Sequence, residues 1–182
     1  MAVYIAFLRG INVGGKNTVK MAELKKVFES LGFGSVQTYI QSGNVLFESD
    51  DGEKALHGRI EAGISSAFGF TVPIVLRTAA QLEQAVQNCP YSQEERDAAN
   101  SPDFETFYIA FFQTMPAPES ITKLNAYKNE ADDFIMAGRD AYLLMKQSIR
   151  TSKIADRMQK LNVYVTIRNL KTISALLVLA KA

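Results

Sequence analysis

The residues best equipped for chemistry stand near the start of the chain, in Arg9-Gly10-Ile11-Asn12-Val13-Gly14-Gly15-Lys16-Asn17. Three glycines and two asparagines in nine residues describe a loop that visits positive φ and lets its backbone approach a partner closely. The cations Arg9 and Lys16, the loop N–H groups and the start of a following helix suit an anion. Gly10 to Asn17 is one residue short of a phosphate loop of the form G-x-x-x-x-G-K-[ST]. Asn17 stands where the magnesium-binding hydroxyl belongs, and Thr18 comes one place late. The antiparallel hairpins expected downstream argue further against a nucleotide hydrolase, which needs a parallel sheet. Anion binding by a related geometry stays open.

Other chemistry finds less support. Cys89 precedes Pro90 far from the single histidine, His57, and reads as a structural thiol. One cysteine and one histidine allow neither an internal disulfide nor a multi-histidine metal site, and no metal is expected. Asp50, Asp51 and Glu53 are accounted for by capping of a helix. Ser148-Ile149-Arg150-Thr151-Ser152-Lys153 opens a helix with hydroxyls and cations, a second anion candidate. Thr166-Ile167-Arg168-Asn169 ends the last strand, with Asn169 as a helix cap and Arg168 as either a ligand or a surface charge. The net charge is +1, yet from Lys146 onward eight Lys and Arg face only Asp156, a local +7. Such an end suits nucleic acid, nucleotide or an acidic partner, or is a solvated helix face.

The elements that must position these residues follow from periodicity. Val3 to Leu8 reads as a buried strand, and Met21, Leu24, Val27, Phe28 and Leu31 as one face of a helix stopped by Gly32. Val36 to Ile40 and Val45 to Phe47 form a hairpin about Gln41-Ser42-Gly43-Asn44. Leu56 to Phe68 is a second helix and Val72 to Leu76 a fourth strand, giving β-α-β-β-α-β. A helix around 81–87 and a polar stretch follow. Phe107-Tyr108-Ile109-Ala110-Phe111-Phe112 then echoes Val3-Tyr4-Ile5-Ala6-Phe7-Leu8, and the same order recurs before a last apolar helix. The expected class is α+β, two tandem ferredoxin-like plaits: residues 1–90, a linker 91–103, and 104–182. The second copy turns through Gln113-Thr114-Met115-Pro116 without glycine, so a plait does not require the glycine-rich loop. Val3 to Leu8 also resembles the first strand of RNA-recognition domains, but Gly43 to Glu48 lacks the basic start and aromatic spacing of their third strand.

Arg9 to Asn17 with Met21, then Thr38-Tyr39-Ile40-Gln41-Ser42-Gly43-Asn44-Val45, and Thr166-x-Arg168-Asn169 closely resemble the signature of a bacterial family called domain of unknown function 1697. The resemblance runs over essentially the whole chain. It implies two ferredoxin-like units and no established activity, and it leaves any cofactor unknown. It points to Arg9, Gly10, Asn12, Gly14, Gly15, Gln41, Ser42, Gly43, Asn44, Thr166, Arg168 and Asn169. Many members carry tryptophan where this chain has Leu170.

The expected function is binding of a phosphate-bearing or other anionic ligand, nucleotide or nucleic acid, at the glycine-rich loop. Lys16 and Asn17 join Arg9, Gly10, Asn12, Gly14 and Gly15 there. The alternatives are a small-molecule enzyme of unknown reaction using Gln41, Ser42, Asn44 and Arg168, and a protein-interaction module without a small ligand. The single cysteine fits the cytoplasm. The strand-like start and the lack of a ~20-residue apolar run predict neither a secretion signal nor a membrane span. The loop and the Gln41–Asn44 hairpin are expected at opposite ends of the sheet, the hairpin helping to dock the two units.

Overall fold

The computed structural model describes all of residues 1–182. The chain is a mixed α+β protein with two four-stranded antiparallel sheets and seven α-helices. Its compact units are Met1–Gln84 with Ala175–Ala182 (unit 1), and Ala85–Ser174 (unit 2). The end of the last helix therefore counts with unit 1 rather than with residues 104–174.

Unit 1 runs β1 (Ala2–Leu8), α1 (Met21–Ser30), β2 (Gly34–Tyr39), β3 (Asn44–Ser49), α2 (Glu53–Phe68) and β4 (Ile74–Thr78), then enters α3 (Ala79–Gln87). Its sheet order is β2-β3-β1-β4. Tyr4, Ala6 and Leu8 face a core with Leu24 and Phe28 of α1 and Leu56, Ile60 and Ile64 of α2. The intervening residues Ile5 and Phe7 are buried as well. This is why β1 reads as an unbroken apolar run rather than an alternating one.

Unit 2 contains α4 (Gln93–Ala99), β5 (Phe107–Phe112), α5 (Pro118–Asn125), β6 (Asp132–Ala137), β7 (Asp140–Met145), α6 (Lys153–Gln159), β8 (Val165–Asn169) and the start of α7 (Leu170–Lys181). Its sheet order, β6-β7-β5-β8, repeats that of unit 1. The core is built from Ala110, Phe112, Leu124, Phe134, Leu143, Met145, Ile154 and Met158. Where the sequence reads as a linker, α4 forms. Ser92 Oγ accepts the Glu95 N–H at 3.1 Å, and the Glu95 carboxylate accepts the Ser92 N–H at 2.7 Å. This capping box starts a helix that has no apolar stripe.

Register matches the two copies residue by residue. Ile5 pairs with Arg77 and Phe7 with Asn44, as Ile109 pairs with Arg168 and Phe111 with Asp140. β4 and β8 each run two residues past the apolar segments Val72–Leu76 and Val163–Ile167, taking an arginine into the sheet. Arg77 is 1% exposed and gives its Nη1–H to the Leu76 carbonyl; Arg168 gives its own to the Ile167 carbonyl. Burial pushes the Arg168 guanidinium down from its ordinary value to about 10.

In unit 2 the Tyr142 hydroxyl donates to the Ala85 carbonyl at 2.6 Å. Burial first, then Asp140 and Cys89, push this phenol up from 10 to about 12. An acid held neutral in the fold contributes stability that is complete below pH 10 and is lost as pH rises from 10 through about 12. Unfolding followed across that window is expected to show this loss, and Tyr142→Phe is expected to flatten it. An unchanged slope in Tyr142→Phe would contradict the assignment.

Candidate functional site

The glycine-rich loop folds into a miniature hairpin. Val13 and Lys16 form an isolated antiparallel bridge, closed by Lys16 N–H to the Val13 carbonyl at 3.2 Å and by Asn12 N–H to the Asn17 carbonyl at 3.1 Å. Gly14 (φ 60°) and Gly15 (φ 72°) occupy the two turn positions. A two-residue hairpin of this hand requires positive φ at both, which explains the Gly-Gly pair. A Cβ at either would meet open space, and the turn is exposed. The N–H groups of Gly14 and Gly15 take no partner within the chain.

Asn12 ties this hairpin to its surroundings. Its Nδ2 donates at 2.9 Å to both the Val19 and the Gln41 carbonyls, while Oδ1 accepts the Val19 N–H at 2.8 Å. The two bonds to Val19 anchor the loop to the residues entering α1, and the Gln41 bond reaches the turn between β2 and β3. That turn is held from the other side by Leu8 N–H to the Gly43 carbonyl at 2.8 Å. Asn44, fully buried, donates to the Tyr39 carbonyl at 3.0 Å and to Ser42 Oγ at 3.2 Å.

The two motifs are therefore neighbours, and the expectation that they lie at opposite ends is corrected. β1 and β2 both pair antiparallel with β3, so they run in the same direction. The exit of β1 and the turn after β2 must share one end of the sheet. At that end lie Arg9, Gly10, Asn12, Gly14, Gly15, Lys16, Asn17, Gln41, Ser42 and Asn44. Both Asn12 N–H groups are used inside the chain, and Asn17 Nδ2 donates to the Gly10 carbonyl at 3.2 Å. These asparagines hold the loop's shape, which the sequence pattern does not reveal.

Left-handed backbone concentrates here. Gly10, Asn12, Gly14, Gly15, Asn17, Ile40 and Gly43 have positive φ, seven of the eleven such residues in the chain. Ile40, at φ 50°, is β-branched, so its conformation is costly and held by its surroundings. The N-cap of the helix that follows is Lys20, whose side chain makes no cap bond. The first N–H groups of α1 thus lack the usual side-chain acceptor. Lys16 and Lys20 are exposed and form no ion pair. Lys20, Ile40 and Arg77 were not legible as candidates; only the placement of a cation one residue before a helix could have flagged Lys20.

The remaining candidates lie in unit 2. Asn169 Oδ1 caps α7 by accepting the Thr172 N–H at 2.8 Å. Arg168 is the sheet arginine described above, and Thr166 is 3% exposed with no hydrogen bond to its hydroxyl. In the 148–153 stretch, Ser148 caps a 3₁₀ turn and Ser152 caps α6. Their oxygens occupy the N–H groups an anion would need. Of the basic C-terminal charges, Lys160 pairs with Asp156 at 2.8 Å and Arg157 stacks on Tyr127 at 5.4 Å.

The family described as "Protein of unknown function (DUF1697)" matches residues 1–142, which include both motifs at this end of unit 1. The chain belongs to the DUF1697 family. Among solved structures, the DUF1697 chain is similar to the conserved bacterial protein SP0830 from Streptococcus pneumoniae, with 26% identity, a TM-score of 0.77 and coverage of 98% of each chain. An unknown protein from Galdieria sulphuraria is 14% identical over 93% of this chain and 96% of that chain, with a TM-score of 0.23. No curated protein matches. No helix is long and apolar enough to cross a membrane.

Proposed function

We propose that this end of unit 1 binds a phosphate-bearing anion, with nucleotide or nucleic acid as the ligand class. The observation that carries the reading is the unpartnered Gly14 and Gly15 N–H pair, displayed beside Lys16 and the uncapped start of α1. Backbone N–H groups of that kind, with nearby cations, accept an anion without rearrangement. Asn12, Asn17 and Asn44 act as positioning residues, and Arg9, Lys16 and Lys20 supply charge. We read each unit as a ferredoxin-like plait, on its β-α-β-β-α-β order and sheet order, and place the protein in the cytoplasm on its single cysteine.

A thermal-shift titration of the full chain with pyrophosphate, ATP and a short RNA tests this. The melting temperature is expected to rise with ligand concentration, by mass action, and the rise is expected to vanish in Lys16→Ala/Lys20→Ala. No shift with any of the three, or the same shift in the variant, would refute it.

A second reading, docking of a protein partner, draws on Val13 (67% exposed) and Ile40 (48% exposed), both at this end. Loss of partner capture in Val13→Ser/Ile40→Ser, with phosphate ligands inert, would favour it.

A further inference from the structure

The basic stretch of unit 2 takes no part in the site above. Residues 146–160 hold five Lys and Arg against one Asp, whereas residues 50–68, the same place in the unit 1 repeat, hold two against four Asp and Glu. Both stretches lead from the third strand of the repeat through its second helix, so the fold itself asks for no such excess. α6 buries Ile154, Ala155 and Met158 and leaves Lys153, Arg157 and Lys160 exposed, at positions i, i+4 and i+7 of one helical row. Arg150 precedes them, exposed, on the 3₁₀ turn. Asp156, the one acid among them, pairs with Lys160 at 2.8 Å, which leaves the charges of Arg150, Lys153 and Arg157 uncompensated. Lys153 opens α6, where the helix dipole favours an acid. The Arg157 guanidinium lies 5.4 Å from the centre of the Tyr127 ring, which holds it in place.

We propose that this surface of unit 2 binds the phosphate backbone of a nucleic-acid duplex, independently of base sequence. Two observations set the partner. None of the protein's exposed large apolar side chains lies within 146–160, and a protein-docking face has an apolar centre. Ser148 Oγ and Ser152 Oγ accept the Arg150 and Ala155 N–H groups, so no backbone cradle is left for a single small anion. What remains is charge on long side chains, spread along about 10 Å of helix. A duplex presents its phosphates in a fixed row, and a rigid row of cations neutralises several of them at once.

The test is fluorescence anisotropy of a labelled DNA duplex with the full chain, across a salt series. The three uncompensated cations predict a slope of log K against log salt of about −2.7, so binding weakens about twentyfold between about 50 and about 150 mM salt. A second duplex of unrelated sequence is expected to bind within about twofold of the first. In Arg150→Gln/Lys153→Gln/Arg157→Gln the slope is expected to become shallower than about −1. Lys16→Ala/Lys20→Ala is expected to keep the wild-type slope, which separates this surface from the glycine hairpin. Should the triple variant not fold, the amide signals of residues 150–160 in the wild type decide the matter, since they are expected to move with the unlabelled duplex. No binding at the lowest salt, an unchanged slope in the triple variant, amide signals that stay put, or capture by phosphatidylglycerol vesicles in place of the duplex would each overturn the proposal.

Discussion

Replacing Gly43 by alanine is expected to cost unit 1 about 3 kcal/mol, a large fraction of the stability of an ordinary domain. Two effects combine. At φ 84° any L side chain is strained, and the added Cβ would lie 2.6 Å from Ile11 Cδ1 and 2.9 Å from Leu8 Cβ. Ile11 Cδ1 is the end of a side chain and can give way, but Leu8 Cβ is fixed to β1. Gly14→Ala separates the terms, because φ there is 60° and nothing stands within 4 Å of the new atom. It is expected to cost only the backbone strain, about 1 kcal/mol. Urea unfolding of the two variants measures the difference. Equal losses would show that the turn does not pack on Leu8 and Ile11 as described.

Asn12→Ala is expected to be nearly as damaging, at about 3 kcal/mol, with a more specific consequence. The substitution leaves the N–H and carbonyl of Val19, a residue 1% exposed, and the carbonyl of Gln41 without their partners. It also places alanine at φ 54°. Asn12→Gly relieves the backbone and keeps the loss of hydrogen bonds, so it should recover about 1 kcal/mol without restoring the link to Gln41. Hydrogen exchange reads that link directly. In both variants the amides of residues 12–19 and 41–44 are expected to exchange faster, while those of α2 keep their protection. If the 41–44 turn kept its protection in Asn12→Gly, the Asn12–Gln41 bond would not be what joins the two motifs.

These two residues also mark where the sequence was legible. The apolar runs of β1 and β5 and the helical spacing of α1, α2 and α6 identify themselves, because burial on a sheet or on one helix face imposes a period. Arg77 hid the end of β4, since a charged residue reads as a strand end although its backbone pairs with Ile5. The helix α4 was hidden for the opposite reason. It is polar up to its two final alanines, and only Ser92 and Glu95, three residues apart, announced its start. The type of Asn12 was visible, but its role was not, because its Gln41 partner lies 29 residues away and no periodicity encodes that contact. The adjacency of the two motifs needed only strand direction: two strands antiparallel to the same neighbour are parallel to each other.

The second unit lacks any counterpart of the glycine hairpin. Unit 2 closes the corresponding end with the same backbone bonds, Phe112 N–H to the Arg139 carbonyl at 2.9 Å and Gln113 N–H to the Tyr164 carbonyl at 2.8 Å. In unit 1 the equivalents are Leu8 to Gly43 at 2.8 Å and Arg9 to Pro73 at 2.9 Å. The glycine hairpin is an addition to that shared frame, not part of it. That exposed insertion, which the second unit does without, is the feature on which the proposed anion binding rests.

The most direct test of that claim is a titration of the isotope-labelled full chain with pyrophosphate, following backbone amide signals. Gly14, Gly15, Met21 and Ala22 are expected to shift together along one binding curve, with Gln41 following through Asn12. Signals that stay put at these positions, or that move only in residues 146–160, would contradict it.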